Sequence, residues 1–265
     1  MKLGIIGVGV VGNAVKCGLS ALGHDIYTHD IKLQTSIAIV KDTEVVFVCV
    51  PSPSTETGSC DTGIIERVID NLNDMNYTGI IAIRSTVVPG FTEHMSLLYS
   101  KLTICFVPEF LRERYAIDDF INQHTLLAVG TNSIDVYNTI VATHGHYPKQ
   151  SIKITPTEAE LLKYFNNVYA ALRISFANVM YEVANKLDCD YTTIKNAYIM
   201  TGKAVDMYLD ATPQLRGYAG PCLPKDTKAL STFIKQLNLN YELIDAIHND
   251  NEKFNKTVFP GMRDE

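Results

Sequence analysis

The sequence predicts an α/β fold: a doubly wound parallel sheet followed by a helical domain with a long central helix. Three observations predict it. A short apolar run at the N-terminus breaks into spaced glycines, further strand-length apolar runs alternate with helix-period segments, and one long stripe at helical spacing dominates the second half.

Lys2 to Ile6 is the first strand, and Gly7-Val8-Gly9-Val10-Val11-Gly12 turns it into a helix-like stretch from Asn13 to Leu22. Gly7 permits the tight turn, Gly9 lets a pyrophosphate approach the backbone, and Gly12 lets the helix pack closely on the strand. Such a glycine pattern is weak alone, but Asp25 to Thr28 is strand-like and leads to Asp30, about 20 residues downstream where a ribose-binding acid belongs. The domain is therefore Rossmann-like. Asp30 is expected to bind the adenosine ribose hydroxyls and to select NAD over NADP; the plainer alternative is a strand-end turn cap.

Glu44 to Val50 reads as a buried parallel strand, ended by Pro51-Ser52-Pro53-Ser54. Ile64 to Leu72 has helical spacing, and Gly79 to Ile83 is the next strand, leading to Arg84-Ser85-Thr86. Cofactor sites of such sheets lie beyond the carboxyl ends of the strands, which is where Thr86 and Pro51 fall. Thr86 alone would more often cap a helix. Leu102 to Val107 delivers Pro108-Glu109-Phe110-Leu111-Arg112-Glu113, and Leu126 to Gly130 reads as the last strand. Glu109 is either a site carboxylate or a surface acid paired with Arg112. His144-Gly145-His146 reads as an exposed polar loop rather than a metal site, and no metal is expected. The NAD-binding domain is placed at residues 1–150 and the helical, dimerising domain at residues 151–265.

Thr155-Pro156-Thr157-Glu158 announces a helix from about Thr157 to Lys186. Leu161, Phe165, Val168, Leu172, Phe176, Val179 and Val183 recur at three and four, the pattern of a helix buried along its length. A helix of roughly 45 Å, at about 1.5 Å per residue, suggests a homodimer. Lys163 and Asn167 project one turn apart on one face, either as paired oxyanion donors or as ordinary solvated side chains. Tyr191 to Met200, Thr227 to Gln236 and Tyr241 to Phe254 read as shorter helices.

Gly220-Pro221-Cys222-Leu223-Pro224-Lys225-Asp226 gathers a thiol, an ammonium and a carboxylate within five residues. A thiolate is a strong nucleophile beside cations or a helix N-terminus, although an isolated cysteine is more often a buried loop residue.

Composition narrows the partners. At 265 residues, 46% hydrophobic and 20% charged, the chain can bury a sizeable core. A net charge of -6 with no long Lys/Arg run argues against nucleic acid and anionic membranes, leaving small molecules as the expected ligands. No apolar run reaches the about 18 residues of a membrane span. Six cysteines without a CxxC pair, and no signal peptide, suggest the cytoplasm.

Six segments together resemble the nucleotide-sugar dehydrogenase family, of the UDP-glucose 6-dehydrogenase type. They are Gly7 to Gly12, Val50-Pro51-Ser52-Pro53, Ser85-Thr86-Val87-Val88-Pro89-Gly90, Pro108 to Glu113, Glu160-Leu161-Leu162-Lys163 with Asn167, and Gly220 to Asp226. The resemblance implies a four-electron oxidation of a sugar C6 alcohol to an acid with NAD, through a thiohemiacetal and a thioester on Cys222. It assigns Asp226 and Thr86 to a water that assists proton removal, Lys163 and Asn167 to the oxyanion, and Glu109 with Asp226 to thioester hydrolysis. Phe110, Leu111 and Arg112 match its substrate-contacting segment, and Cys222 is expected to meet the nicotinamide. Departures are Ala219 for the usual glycine, Val107 for the usual polar residue, and the lack of an Arg-Ile-Gly segment ahead of the Cys loop. Because the chain stops at Glu265, the family's third, UDP-gripping domain is expected to be absent. Two other readings remain: a short β-hydroxyacid dehydrogenase, which needs no cysteine, and a catalytically silent NAD-binding or subunit-interaction protein.

Overall fold

The structure, a computed structural model, describes residues 1–259. Seven strands form one sheet: β1 (Lys2–Ile6), β2 (Asp25–His29), β3 (Val45–Val48), β4 (Ile80–Ile83), β5 (Thr103–Phe106), β6 (Leu126–Gly130) and β7 (Gln150–Ile154). Their spatial order is β2-β1-β3-β4-β5-β6-β7. All neighbours are parallel except β5 and β6, which meet antiparallel at Phe106 and Gly130. The strand order reverses between β1 and β3, the switch point where such sheets bind ligands.

Alternation along the strands buries both faces. Ile6, Val46, Val48, Ile81, Ile83, Ile104 and Phe106 join one core with α2 (Gly63–Asp74) and α3 (Phe91–Leu98). Leu3, Ile5, Val45, Phe47, Ala82, Cys105 and Val129 join the other with α1 (Val10–Ala21), α4 (Ala116–Ile121) and α5 (Ile134–His144). Side chains of period two with helices on both faces are what make the sheet doubly wound. At Gly18 a Cβ would lie 2.3 Å from Phe120, so α1 and α4 pack at a distance only glycine allows.

Leu126–Gly130 is not the last strand, because β7 pairs with it in parallel. The histidine loop also differs from the sequence reading: His144 ends α5 and is fully buried, while His146 is exposed. His144 Nδ1 lies 2.9 Å from the Ile140 carbonyl, which only accepts, so the proton sits on Nδ1. Its Nε2 lone pair then faces Arg84 Nη1 at 3.5 Å. Burial, with Arg84 second, holds His144 well below the ordinary histidine range.

The chain divides into two compact units, Met1–Thr55 with Cys60–Lys163, and Glu56–Ser59 with Tyr164 onward. The second contains most of α6 (Pro156–Lys186), then α7 (Tyr191–Met200), α8 (Leu223–Gln236) and α9 (Leu243–Asn251). Its cores gather Val168, Ala171, Tyr218 and Ile247 in one place and Ala177, Ala184, Tyr191 and Ala211 in another. Only part of the predicted α6 stripe is inside. Val168 is buried, but Leu161, Phe165, Phe176, Val179 and Val183 are exposed, Phe165 by 70%. The small residues Ala170, Ala171, Ala177 and Ala184 fill the buried face instead. Among the described residues no helix is long and apolar enough to cross a membrane.

Candidate active site

In the first unit β1 ends at Gly7, whose φ of +88° turns the chain and whose N–H donates to the His29 carbonyl at 2.8 Å. A Cβ at Gly7 would stand 2.7 Å from the Cys49 carbonyl oxygen, and one at Gly12 would stand 1.9 Å from the Gly7 oxygen. Gly9 is different: nothing lies within 4 Å of its Cβ position. Two glycines thus close the turn and the third leaves open space at the start of α1. That helix has neither a side-chain cap nor an acid in its first turn, leaving its amides to an anion.

Asp30 follows directly on β2 and ties this turn down. Its Oδ2 accepts from the Val8 N–H at 2.7 Å and its Oδ1 from the Lys32 N–H at 2.8 Å. The Val8 and then the Lys32 hydrogen bond hold its carboxyl below the usual range, so it is ionised. Each oxygen retains a lone pair for a ribose hydroxyl. The uncapped helix, the open Gly9 and the charged Asp30 together fit NAD.

The neighbouring strand ends carry the next residues. Ser85 Oγ donates to the Val50 carbonyl at 2.7 Å, fixing the segment before exposed Pro51. Thr86 is buried, and its carbonyl accepts from the Cys60 thiol at 3.3 Å. Burial pushes the Cys49 thiol up to about 12. Helix α3 starts at Gly90 with no cap of its own; buried Glu160 supplies one, its Oε2 accepting from Gly90 N–H at 2.6 Å and its Oε1 from Thr92 N–H at 2.8 Å.

One turn further along α6, Lys163 Nζ donates to Glu109 Oε1 at 2.6 Å, and Glu109 Oε2 accepts from the Leu111 N–H at 2.9 Å. Their side chains are 4% and 10% exposed. Burial pushes the Glu109 carboxyl up, but Lys163, the Leu111 amide and Arg84 outweigh it and hold the group below the ordinary range. Glu109 is thus a largely shielded, ionised acid paired with Lys163. Arg112 forks onto Asp119, Nη2 to Oδ1 at 2.5 Å and Nε to Oδ2 at 3.0 Å. Leu111 packs against the core and Phe110 is half-buried. Arg84 is itself buried, and burial lowers its pKa.

In the second unit Cys222 is the exposed residue on which α8 starts, and its carbonyl accepts the first helical bond from Asp226 N–H at 2.9 Å. Gly220, at φ +82°, makes the turn before it, and Pro224 suits the helix's first positions. Asp226 is 1% exposed. Its Oδ2 accepts from Asn167 Nδ2 at 2.6 Å and its Oδ1 from Lys225 Nζ at 2.5 Å. The nucleophile candidate therefore sits one helical turn from a carboxylate fixed by two donors.

Sequence reasoning missed Glu160 and Arg84 as organisers. The motif Glu160-Leu161-Leu162-Lys163 held the signal, two charged residues three apart on one helix face, but not their partners.

Comparison with known proteins accounts for both units. The sequence model of the UDP-glucose/GDP-mannose dehydrogenase family, NAD binding domain, matches residues 28–142, and that of the same family's central domain matches residues 157–253. UDP-glucose 6-dehydrogenase AglM of Haloferax volcanii is 26% identical over 87% of this chain and 64% of its own length. The UDP-glucose 6-dehydrogenase of Rickettsia bellii is 28% identical over 81% of this chain and 50% of its own. A UDP-glucose dehydrogenase structure from Pyrobaculum islandicum superposes with a TM-score of 0.85 at 24% identity, over 95% of this chain and 68% of that one. The chain thus spans about half to two thirds of the length of these curated relatives. With both domain models in their chain order, the protein belongs to the UDP-glucose/GDP-mannose dehydrogenase family and carries its NAD-binding and central domains.

Proposed function

We propose that the chain carries out an NAD-dependent four-electron oxidation of a nucleotide sugar, of the UDP-glucose to UDP-glucuronate type, with Cys222 as covalent nucleophile. The observation that carries this reading is Cys222 exposed at the start of α8 beside an Asp226 carboxylate fixed by Asn167 and Lys225. Bound NAD supplies the hydride acceptor, two molecules being used in turn. Gly7, Gly9 and Gly12 would hold its pyrophosphate, Asp30 its adenosine ribose, and Pro51 and Thr86 would line its nicotinamide end.

The chain's own residues manage protons and the carbonyl carbon. Asp226 and Thr86 hold the water that takes the C6 hydroxyl proton. The Cys222 thiolate adds to the aldehyde carbon, giving a thiohemiacetal whose oxidation leaves a thioester. Lys163 and Asn167 donate to the negative oxygen of each tetrahedral state. Glu109 and Asp226 accept a proton from the water that attacks the thioester, which releases the carboxylate and returns Cys222 as a thiol. The net change is one primary alcohol, two NAD and one water to one carboxylate, two NADH and three protons. Phe110, Leu111 and Arg112 contact the substrate.

NADH absorbance with a panel of sugar nucleotides and hydroxyacids tests this. Two NADH per UDP-glucose are expected, and Cys222→Ser should lose steady-state turnover; full turnover in that variant would remove the covalent step. Turnover of a hydroxyacid in Cys222→Ser would point to a β-hydroxyacid dehydrogenase, and NAD binding without reduction to a silent protein. A homodimer in the cytoplasm completes the proposal. The exposed Phe165, Tyr169 and Phe176 on α6 support pairing, and a monomeric mass in solution would contradict it.

A further inference from the structure

The stretch leading into Cys222 is held by the end of the second unit. Asn251, the last residue of α9, is 0% exposed, and its carboxamide pairs with both backbone groups of Tyr218. Oδ1 accepts from Tyr218 N–H at 2.8 Å and Nδ2 donates to the Tyr218 carbonyl at 3.0 Å. A side-chain amide thus imitates one rung of a sheet. The rung continues in backbone: Gly217 N–H donates to Asn255 O at 3.0 Å, Thr257 N–H to Gly217 O at 2.8 Å, and Arg216 N–H to Thr257 Oγ1 at 2.6 Å. At Gly217 a Cβ would meet Asn251 Oδ1 at 2.7 Å, so the fit excludes even alanine.

We infer that Asn251 is a positioning residue for the nucleophile: by fixing Tyr218, four residues before Cys222, it keeps the thiol at the start of α8. There the uncapped helix amides favour a nucleophilic sulfur. Only an amide serves both Tyr218 groups. A carboxylate would face the Tyr218 carbonyl without a proton to give, and an alkyl group would leave a buried N–H and C=O unmade. In its catalytic consequence this rests on the proposed role of Cys222; the placement of the thiol does not depend on turnover.

Iodoacetamide labelling of the whole chain, followed by peptide mass spectrometry, reads the thiol directly, with exposed Cys189 as an internal reference. Asn251→Ala is expected to slow Cys222 labelling about tenfold relative to Cys189. Gly217→Ala, which pushes on the same amide from the loop side, is expected to act in the same direction and replaces Asn251→Ala if that variant does not fold. Met180→Ala, which loosens the unit's other core of Ala177, Ala184, Tyr191 and Ala211, should lower the melting temperature and leave the ratio unchanged. An unchanged ratio in Asn251→Ala or Gly217→Ala, or an equal fall in Met180→Ala, would overturn the inference. With UDP-glucose the same Asn251→Ala chain should lose kcat and keep its KM for NAD. Absence of NADH from the parent protein would count against the proposed function alone, since the labelling ratio still decides the role of Asn251.

Discussion

One charged pair from each unit shows two different ways of holding charge. In the first, Glu109 and Lys163 are 54 residues apart in sequence, nearly inaccessible, and set by strand ends and the start of α6. In the second, Lys235 and Asp245 meet at 2.7 Å on the surface of α8 and α9, with side chains 61% and 37% exposed. Even the nucleophile candidate is exposed there. The contrast separates two sources of order. A buried pair is fixed because breaking it strands a charge in low dielectric, whereas an exposed pair holds only what Coulomb attraction in water can.

Breaking the buried pair should have the largest effect. Lys163→Met leaves Glu109 without its cation and should destabilise the first unit by about 3–5 kcal/mol, seen in urea unfolding. Gly12→Ala should follow, since its Cβ would strike the Gly7 oxygen; we expect about 1–3 kcal/mol of lost stability and at least a tenfold weaker NAD affinity by calorimetry. Glu160→Gln keeps shape but turns an NH2 toward an amide N–H, which should cost about 1–3 kcal/mol and raise hydrogen exchange at Gly90 or Thr92.

A pH titration sharpens the same comparison. Glu109 has a folded pKa below its unfolded value, so its contribution is present above the unfolded value of about 4.3 and is lost as pH falls through the folded one. Urea midpoints from pH 7 to 3 should fall at the acid end, and in Lys163→Met the fall should start at higher pH, because burial then dominates Glu109. The smallest effect is expected from Lys235→Ala, under about 1 kcal/mol and further reduced by salt. A loss like that of Lys163→Met would abolish the contrast.

Much of the fold was legible because pattern and burial agree. Six strands, the glycine turn and α6 followed from period two, period three to four, and turn residues. β7 escaped because Gln150, Ser151 and Lys153 are exposed at the sheet edge, leaving only Ile152 and Ile154 as an apolar signal. His144 escaped because its partner Arg84 lies 60 residues away. The α6 stripe misled for a related reason: period shows which residues share a face, but not whether alanines on another face take the core. Cys222, Asp226, Lys163 and Asn167 could be singled out by spacing. That Asp226 holds Asn167, that Lys163 holds Glu109, and that Glu160 caps α3 are long-range facts no local pattern encodes.

The clasp between Asp30 and the Val8 amide bears on coenzyme engineering. Redesign toward a phosphorylated dinucleotide usually begins by neutralising the acid at the end of the second strand. In this chain that substitution would also release the N–H that keeps the glycine turn in register. A successful swap would need a residue at position 30 that still accepts from Val8, such as serine or asparagine, joined to a new cation elsewhere on the loop.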